Sequence, residues 1–122
     1  MTGFNIVKLV KSFGYAVRGI RQLIAREQNA RIHLAATVVV FVAGFLVDLN
    51  RYEWIGICAA VGLVWGAEGL NAAVEKLVDF ISPEKHPQAG LVKDIAAGAV
   101  LICAIIAAAI GLLVFIPHLI GL

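Results

Sequence analysis

The sequence predicts an all-α membrane protein, with an amphipathic N-terminal interfacial helix followed by three transmembrane helices, N-terminus inside and C-terminus outside. Three observations carry this reading. Hydrophobic types make up 61% of only 122 residues, and charged types 15%. A single domain of this size has too little interior to hide that much apolar surface, so lipid must cover part of it. The apolar residues gather into three long runs, and Lys and Arg are distributed unevenly between their flanks.

The interfacial helix is expected over residues 4–26. Ile6, Val10, Phe13, Val17, Ile20 and Ile24 recur at steps of three and four, which stacks them on one stripe. Lys8, Lys11, Arg18 and Arg26 fall mostly on the opposite side. A basic face against an aromatic-aliphatic face suits a helix lying in the headgroup plane. The spans are expected at 32–49, 54–79 and 95–116. The second turns polar at Glu68 but keeps its helical period to Asp79, so it reads as one long helix that leaves the bilayer near its end.

Orientation follows from the cations. Lys8, Lys11, Arg18, Arg21, Arg26 and Arg31 precede the first span, and Lys76, Lys85 and Lys93 lie between the second and third. The other connection carries only Arg51. The positive-inside rule therefore places the N-terminus and the second loop in the cytoplasm. Trp54 and His118 suit the outer interface. Pro83 and Pro87 bracket the second loop and end the helix before it. Asp94, just ahead of the third span, is a candidate cap for that helix. Cys58 and Cys103 sit in apolar runs without metal-ligand spacing and read as inert buried thiols. No cleavable signal peptide is evident, because the first apolar run follows many basic residues. The net charge of +2 is too small to argue for nucleic acid. The whole chain, 1–122, reads as one domain without repeats or linkers.

One polar feature lacks a structural excuse. Glu68, Asn71, Glu75 and Asp79 follow one another at spacings of three, four and four, which keeps them in one narrow helical stripe. Ionisable groups at membrane depth cost about 2.5 kcal/mol or more, so they persist where they pair or perform chemistry. Such a stripe must face protein or water rather than lipid, which predicts an oligomer. Carboxylate oxygens suit Mg²⁺, which takes one or two of them together with substrate phosphates. Glu27, at the end of the first helix, and Lys93 with Asp94, at the start of the third span, lie at the same membrane level. Acids for a metal beside a cation for phosphate form the pattern of phosphoryl transfer. No Walker A or protein-kinase motif is present. A channel lined by the same stripe is the competing class, but the span before Glu68 is apolar, whereas a pore needs a polar line throughout.

The segment Glu68-Gly69-Leu70-Asn71-Ala72-Ala73-Val74-Glu75-Lys76-Leu77-Val78-Asp79 resembles the core motif of the prokaryotic diacylglycerol kinase and undecaprenol kinase family. The resemblance continues through Gly14-Tyr15, Glu27 to Leu34, Glu84, His86 and Lys93 to Val100, covering nearly the whole chain. It implies a homotrimeric, ATP- and Mg²⁺-dependent lipid kinase of the bacterial inner membrane, with sites at the cytoplasmic face shared between subunits. It also implies roles. Glu68 is the general base at the lipid hydroxyl, and Asn71 and Asp79 hold the site together. Glu27 and Glu75 bind the Mg²⁺ that accompanies ATP. Lys8, Tyr15, Glu84, His86, Lys93 and Asp94 contact the nucleotide, Lys8 more weakly because the family often has Arg there. Gly69 and Ala72 replace bulkier or hydroxylated residues of the pattern without removing any of these groups. Undecaprenol is the expected acceptor, with diacylglycerol as the alternative.

Overall fold

The structure, a computed structural model, describes residues 3–121 and is helical throughout its regular elements. Four helices follow in order: α1 (Ile6–Arg26), α2 (Gln28–Val47), α3 (Arg51–Ile81) and α4 (Pro87–Leu119). The last three are each long and apolar enough to cross a membrane.

α1 starts where the Asn5 side chain accepts from the backbone N–H groups of Val7 and Lys8. It buries no residue, and its stripe, including Val10, Phe13 and Val17, is exposed. One extended residue, Glu27, separates α1 from α2, so α2 begins at Gln28, earlier than the expected 32. The Arg31 guanidinium makes this tight elbow workable. It donates to the carbonyls of Ile24 and Ala25, which the end of α1 would otherwise leave free.

α2 closes on Asp48, whose φ of 60° is left-handed, a conformation that a short polar side chain tolerates. Leu49 is buried there, and its N–H donates to the Gly44 carbonyl. α3 opens with a reciprocal capping box. The Asn50 side chain accepts from the Glu53 N–H at 2.9 Å, and Glu53 accepts from the Asn50 N–H at 3.0 Å. α3 then runs unbroken for 31 residues, about 46 Å at 1.5 Å per residue, against a hydrocarbon core of about 30 Å. That length exceeds the apolar layer, which leaves the helix room for the polar turns after Glu68 that the sequence expects to lie outside it.

α4 differs from expectation at its start. Pro87 occupies the first turn, where its missing N–H costs nothing, and the His86 ring accepts from the Gln88 N–H at 3.1 Å. The helix thus begins well before the apolar run, so Asp94 lies inside it and is not its cap. α3 and α4 form the main helical pair, α2 packs on α3, and α1 touches both α2 and α3. At the end of the bundle formed by the α2–α3 connection, Trp54 stacks on Phe41 with ring centres 5.5 Å apart and leans on Phe45 at 4.9 Å. His118 meets Glu53 at 2.7 Å, tying α4 to α3. Trp54 and His118 therefore have protein partners at the end where an interfacial role was expected for them. The two cysteines are free, but Cys58 is exposed and Cys103 half-buried, so the expectation of buried thiols fails for the single chain. Among the described residues, Ile57, Ala60, Ala72, Ala30 and Leu49 are the buried hydrophobic ones, and α4 buries none.

Candidate active site

The α3 stripe grades from buried to exposed along its length. Glu68 is 2% exposed and Asn71 7%, Glu75 is half-buried and Asp79 is exposed. This order follows from the packing. Glu68 lies against His33 of α2, and Asp79 lies where α3 ends beside the α3–α4 loop. The Asn71 amide donates to Glu75 Oε1 at 3.3 Å, joining consecutive turns of the stripe. Two buried oxygens, Glu68 Oε2 and Asn71 Oδ1, have no hydrogen-bond partner among the described residues. Unsatisfied buried polar atoms are rare and costly, and they collect where a protein binds something or does chemistry. The nearest opposing charge-capable group to Glu68 is His33 on α2, with Nε2 at 3.6 Å from Oε2.

The remaining expected residues form two further groups. Glu27, at the α1–α2 elbow, pairs with Lys76 at 3.7 Å, which sets it against the α3 residue that follows Glu75. Lys93 of α4 pairs with Asp79 of α3. Asp79, Glu84, His86 and Lys93 line one concavity of about 500 Å³ around the α3–α4 loop. Tyr15 is exposed on α1, Asp94 is exposed on α4, and Lys8 borders a separate surface hollow near the N-terminus. Glu27, Glu75, Lys93 and Asp94 thus do not make a single cluster within the chain. Lys93 and Glu27 are each held by another partner on α3.

Among the described residues, no group of three or more His, Cys, Asp or Glu side chains converges as a metal cage. The donor set still fits Mg²⁺. Glu27 and Glu75 offer hard carboxylate oxygens, and Mg²⁺ commonly takes only one or two of these beside substrate phosphates. An apolar groove between α1 and α3, lined in part by Leu23, Glu27, Gly69, Leu70 and Lys76, runs along this level. A Cβ at Gly69 would come within 3.8 Å of the Leu23 side chain, so the small residue that departs from the family pattern leaves ordinary contact distance between α1 and α3.

His33 is the neighbour of Glu68 that its position in the sequence does not reveal as a site residue. It sits near the N-terminal end of an apolar run on another helix, and its contact with α3 depends on how the two helices cross. Lys76, likewise, lies off the acidic stripe in sequence yet supplies the partner of Glu27.

Comparison with known proteins gives consistent matches. The family model described as prokaryotic diacylglycerol kinase matches residues 14–115. The chain is 44% identical over 112 residues to an undecaprenol kinase of Bacillus subtilis (strain 168), covering 92% of this chain and 91% of the relative. It is 36% identical over 115 residues to a diacylglycerol kinase of Synechocystis, covering 93% of this chain and 66% of the relative. It is 33% identical over 106 residues to the diacylglycerol kinase of Escherichia coli (strain K12), covering 87% of this chain and 85% of the relative.

Proposed function

The chain belongs to the prokaryotic diacylglycerol kinase family and is a lipid kinase acting on an alcohol, and from that premise we propose that it phosphorylates undecaprenol with ATP. In this reading residues 1–122 act as one lipid kinase domain in a bacterial inner membrane. The N-terminus is inside, the C-terminus is outside, and the site is at the cytoplasmic face of a homotrimer. The observation that carries the site assignment is Glu68, a carboxyl group with 2% exposure and an unpartnered oxygen, placed at the polar end of a membrane span.

Phosphoryl transfer has a loose transition state, so catalysis rests on positioning and on neutralising charge. Glu68 accepts the proton of the lipid hydroxyl as the hydroxyl oxygen forms its bond to the γ-phosphorus. The bond from that phosphorus to the bridging oxygen breaks, and ADP leaves with the electron pair. Asn71 and Glu75 brace the stripe that holds Glu68, through the amide–carboxylate bond between them. Glu27 and Glu75 are the residues that would hold Mg²⁺, which when bound offsets the charge of the phosphate oxygens. Lys93, Glu84 and His86 line the loop concavity and receive the nucleotide there, with Asp79 orienting Lys93. Tyr15, Asp94 and, more weakly, Lys8 complete the nucleotide contacts.

Undecaprenol is favoured because identity is higher to the Bacillus subtilis undecaprenol kinase than to the diacylglycerol kinases named above. Those relatives make diacylglycerol the second reading. Measurement of kcat/KM for both lipids in matched micelles decides between them, since that ratio reports differential transition-state binding. A higher value for undecaprenol is expected. A clear preference for diacylglycerol overturns the choice of acceptor and leaves the kinase assignment standing.

A further inference from the structure

We infer that His33 is a positioning residue for the carboxylate of Glu68, an inference that rests on the reading of Glu68 as the base. The ring nitrogen Nε2 lies 3.6 Å from Glu68 Oε2, just beyond hydrogen-bond range. That oxygen is buried without a partner. A carboxylate oxygen so placed gains a great deal from one N–H donor, because a lone buried acceptor carries its full desolvation cost. A small turn of the His33 ring supplies that donor.

The ring is set up for this by a brace between α2 and α3. It stands edge-on to the Trp65 indole, with centroids 6.5 Å apart and planes at 64°. The Trp65 N–H donates to the Thr37 hydroxyl at 2.9 Å, and that hydroxyl donates to the His33 backbone carbonyl at 2.6 Å. Trp65 is about one turn before Glu68 on α3, and Thr37 one turn after His33 on α2, so the brace locks the two helices at the level of the carboxyl group. With Nε2–H engaged on Oε2, the other oxygen of Glu68 is left to accept the proton of the lipid hydroxyl. His33 thereby fixes which oxygen does the chemistry and how it is aimed, without touching the substrate.

The test compares wild type, His33→Ala, His33→Gln and Glu68→Gln as purified protein in lipid micelles, together with His33→Ala in a Glu68→Asp background. His33→Ala is expected to lower kcat by roughly 10- to 100-fold, the scale of one hydrogen bond to a charged group, with KM for ATP unchanged. His33→Gln, which keeps an N–H donor at similar reach, is expected within about threefold of wild type. In the Glu68→Asp background, whose shorter carboxylate no longer meets His33, the same His33→Ala change should cost less than threefold. Wild-type kcat in His33→Ala overturns the inference, as do equal losses in Ala and Gln accompanied by a raised KM for ATP, which mark a merely structural role. Equal cost of His33→Ala in both backgrounds also overturns it. Failure of the underlying reading is separate and visible, because near-normal turnover in Glu68→Gln removes the base itself.

Discussion

Glu68 combines near-complete burial with an unsatisfied oxygen, the two properties on which its proposed role as the base rests. Glu68→Gln keeps the shape but cannot accept a proton. Turnover should fall by at least about 100-fold while ATP binding persists, as measured by steady-state assay beside nucleotide titration. Glu27 and Glu75 make a different prediction. If they hold Mg²⁺ as proposed, replacing either by Gln removes a charged oxygen ligand, so the Mg²⁺ concentration for half-maximal activity should rise by roughly tenfold, while an unchanged Mg²⁺ dependence in both variants removes them from the metal site. Helical period alone puts Glu68, Asn71 and Glu75 on one stripe, whereas the separate roles of these acids and of Glu27 were legible only through the family resemblance. His33 was not, since an apolar run gives no sign of which of its members faces a carboxylate on another helix. The Glu27–Lys76 pair was hidden because it joins the α1–α2 elbow to α3 and depends on how those elements pack.

Helix ends show a second limit of the sequence. Hydropathy marks where chain meets lipid, whereas caps and prolines mark where helices begin and end. α3 and α4 therefore extend past their expected limits of 54–79 and 95–116 at both ends. The cap at Asn50 and Glu53 was present in the sequence as an Asn followed three residues later by Glu, and it starts α3 at Arg51. Asn50→Ala should cost about 1 kcal/mol of stability, seen as a lower thermal midpoint without loss of specific activity in the folded fraction. The α2–α3 corner makes a sharper demand. A Cβ on Gly44 would lie 2.6 Å from the tip of the Trp54 ring and 3.0 Å from a Leu49 methyl group, so the rings of Phe41, Phe45 and Trp54 depend on that glycine. Gly44→Ala should destabilise by roughly 1–3 kcal/mol and shift the tryptophan emission, and an unaltered midpoint would show that the aromatic cluster yields freely.

For the whole molecule, the class and order of the helices were readable from the apolar runs and from the period of the first helix, but any assembly would leave its trace chiefly in what the single chain fails to bury. α4 buries no residue, and much of its length, including Leu101, Ile105 and Leu113, is exposed on one chain. Lipid can cover such a surface, but it cannot serve the acidic stripe, which needs protein or water beside it. The stripe also has a length. Lys93 is tied to Asp79, which lies about 16 Å along α3 from Glu68 at 1.5 Å per residue. The ends proposed to accept the hydroxyl proton and to receive the nucleotide are thus far apart within one chain. An extended nucleoside triphosphate has to bridge them, or a neighbouring chain has to bring its own Lys93 closer. The shared-site homotrimer proposed above would make the second arrangement, and subunit mixing tests it. Glu68→Gln and Lys93→Ala variants, each inactive alone, should regain a measurable fraction of wild-type turnover when unfolded together and reassembled in mixed micelles. Sites drawn from one chain give no recovery at any mixing ratio, and a fully active monomer in detergent would remove the need for assembly altogether.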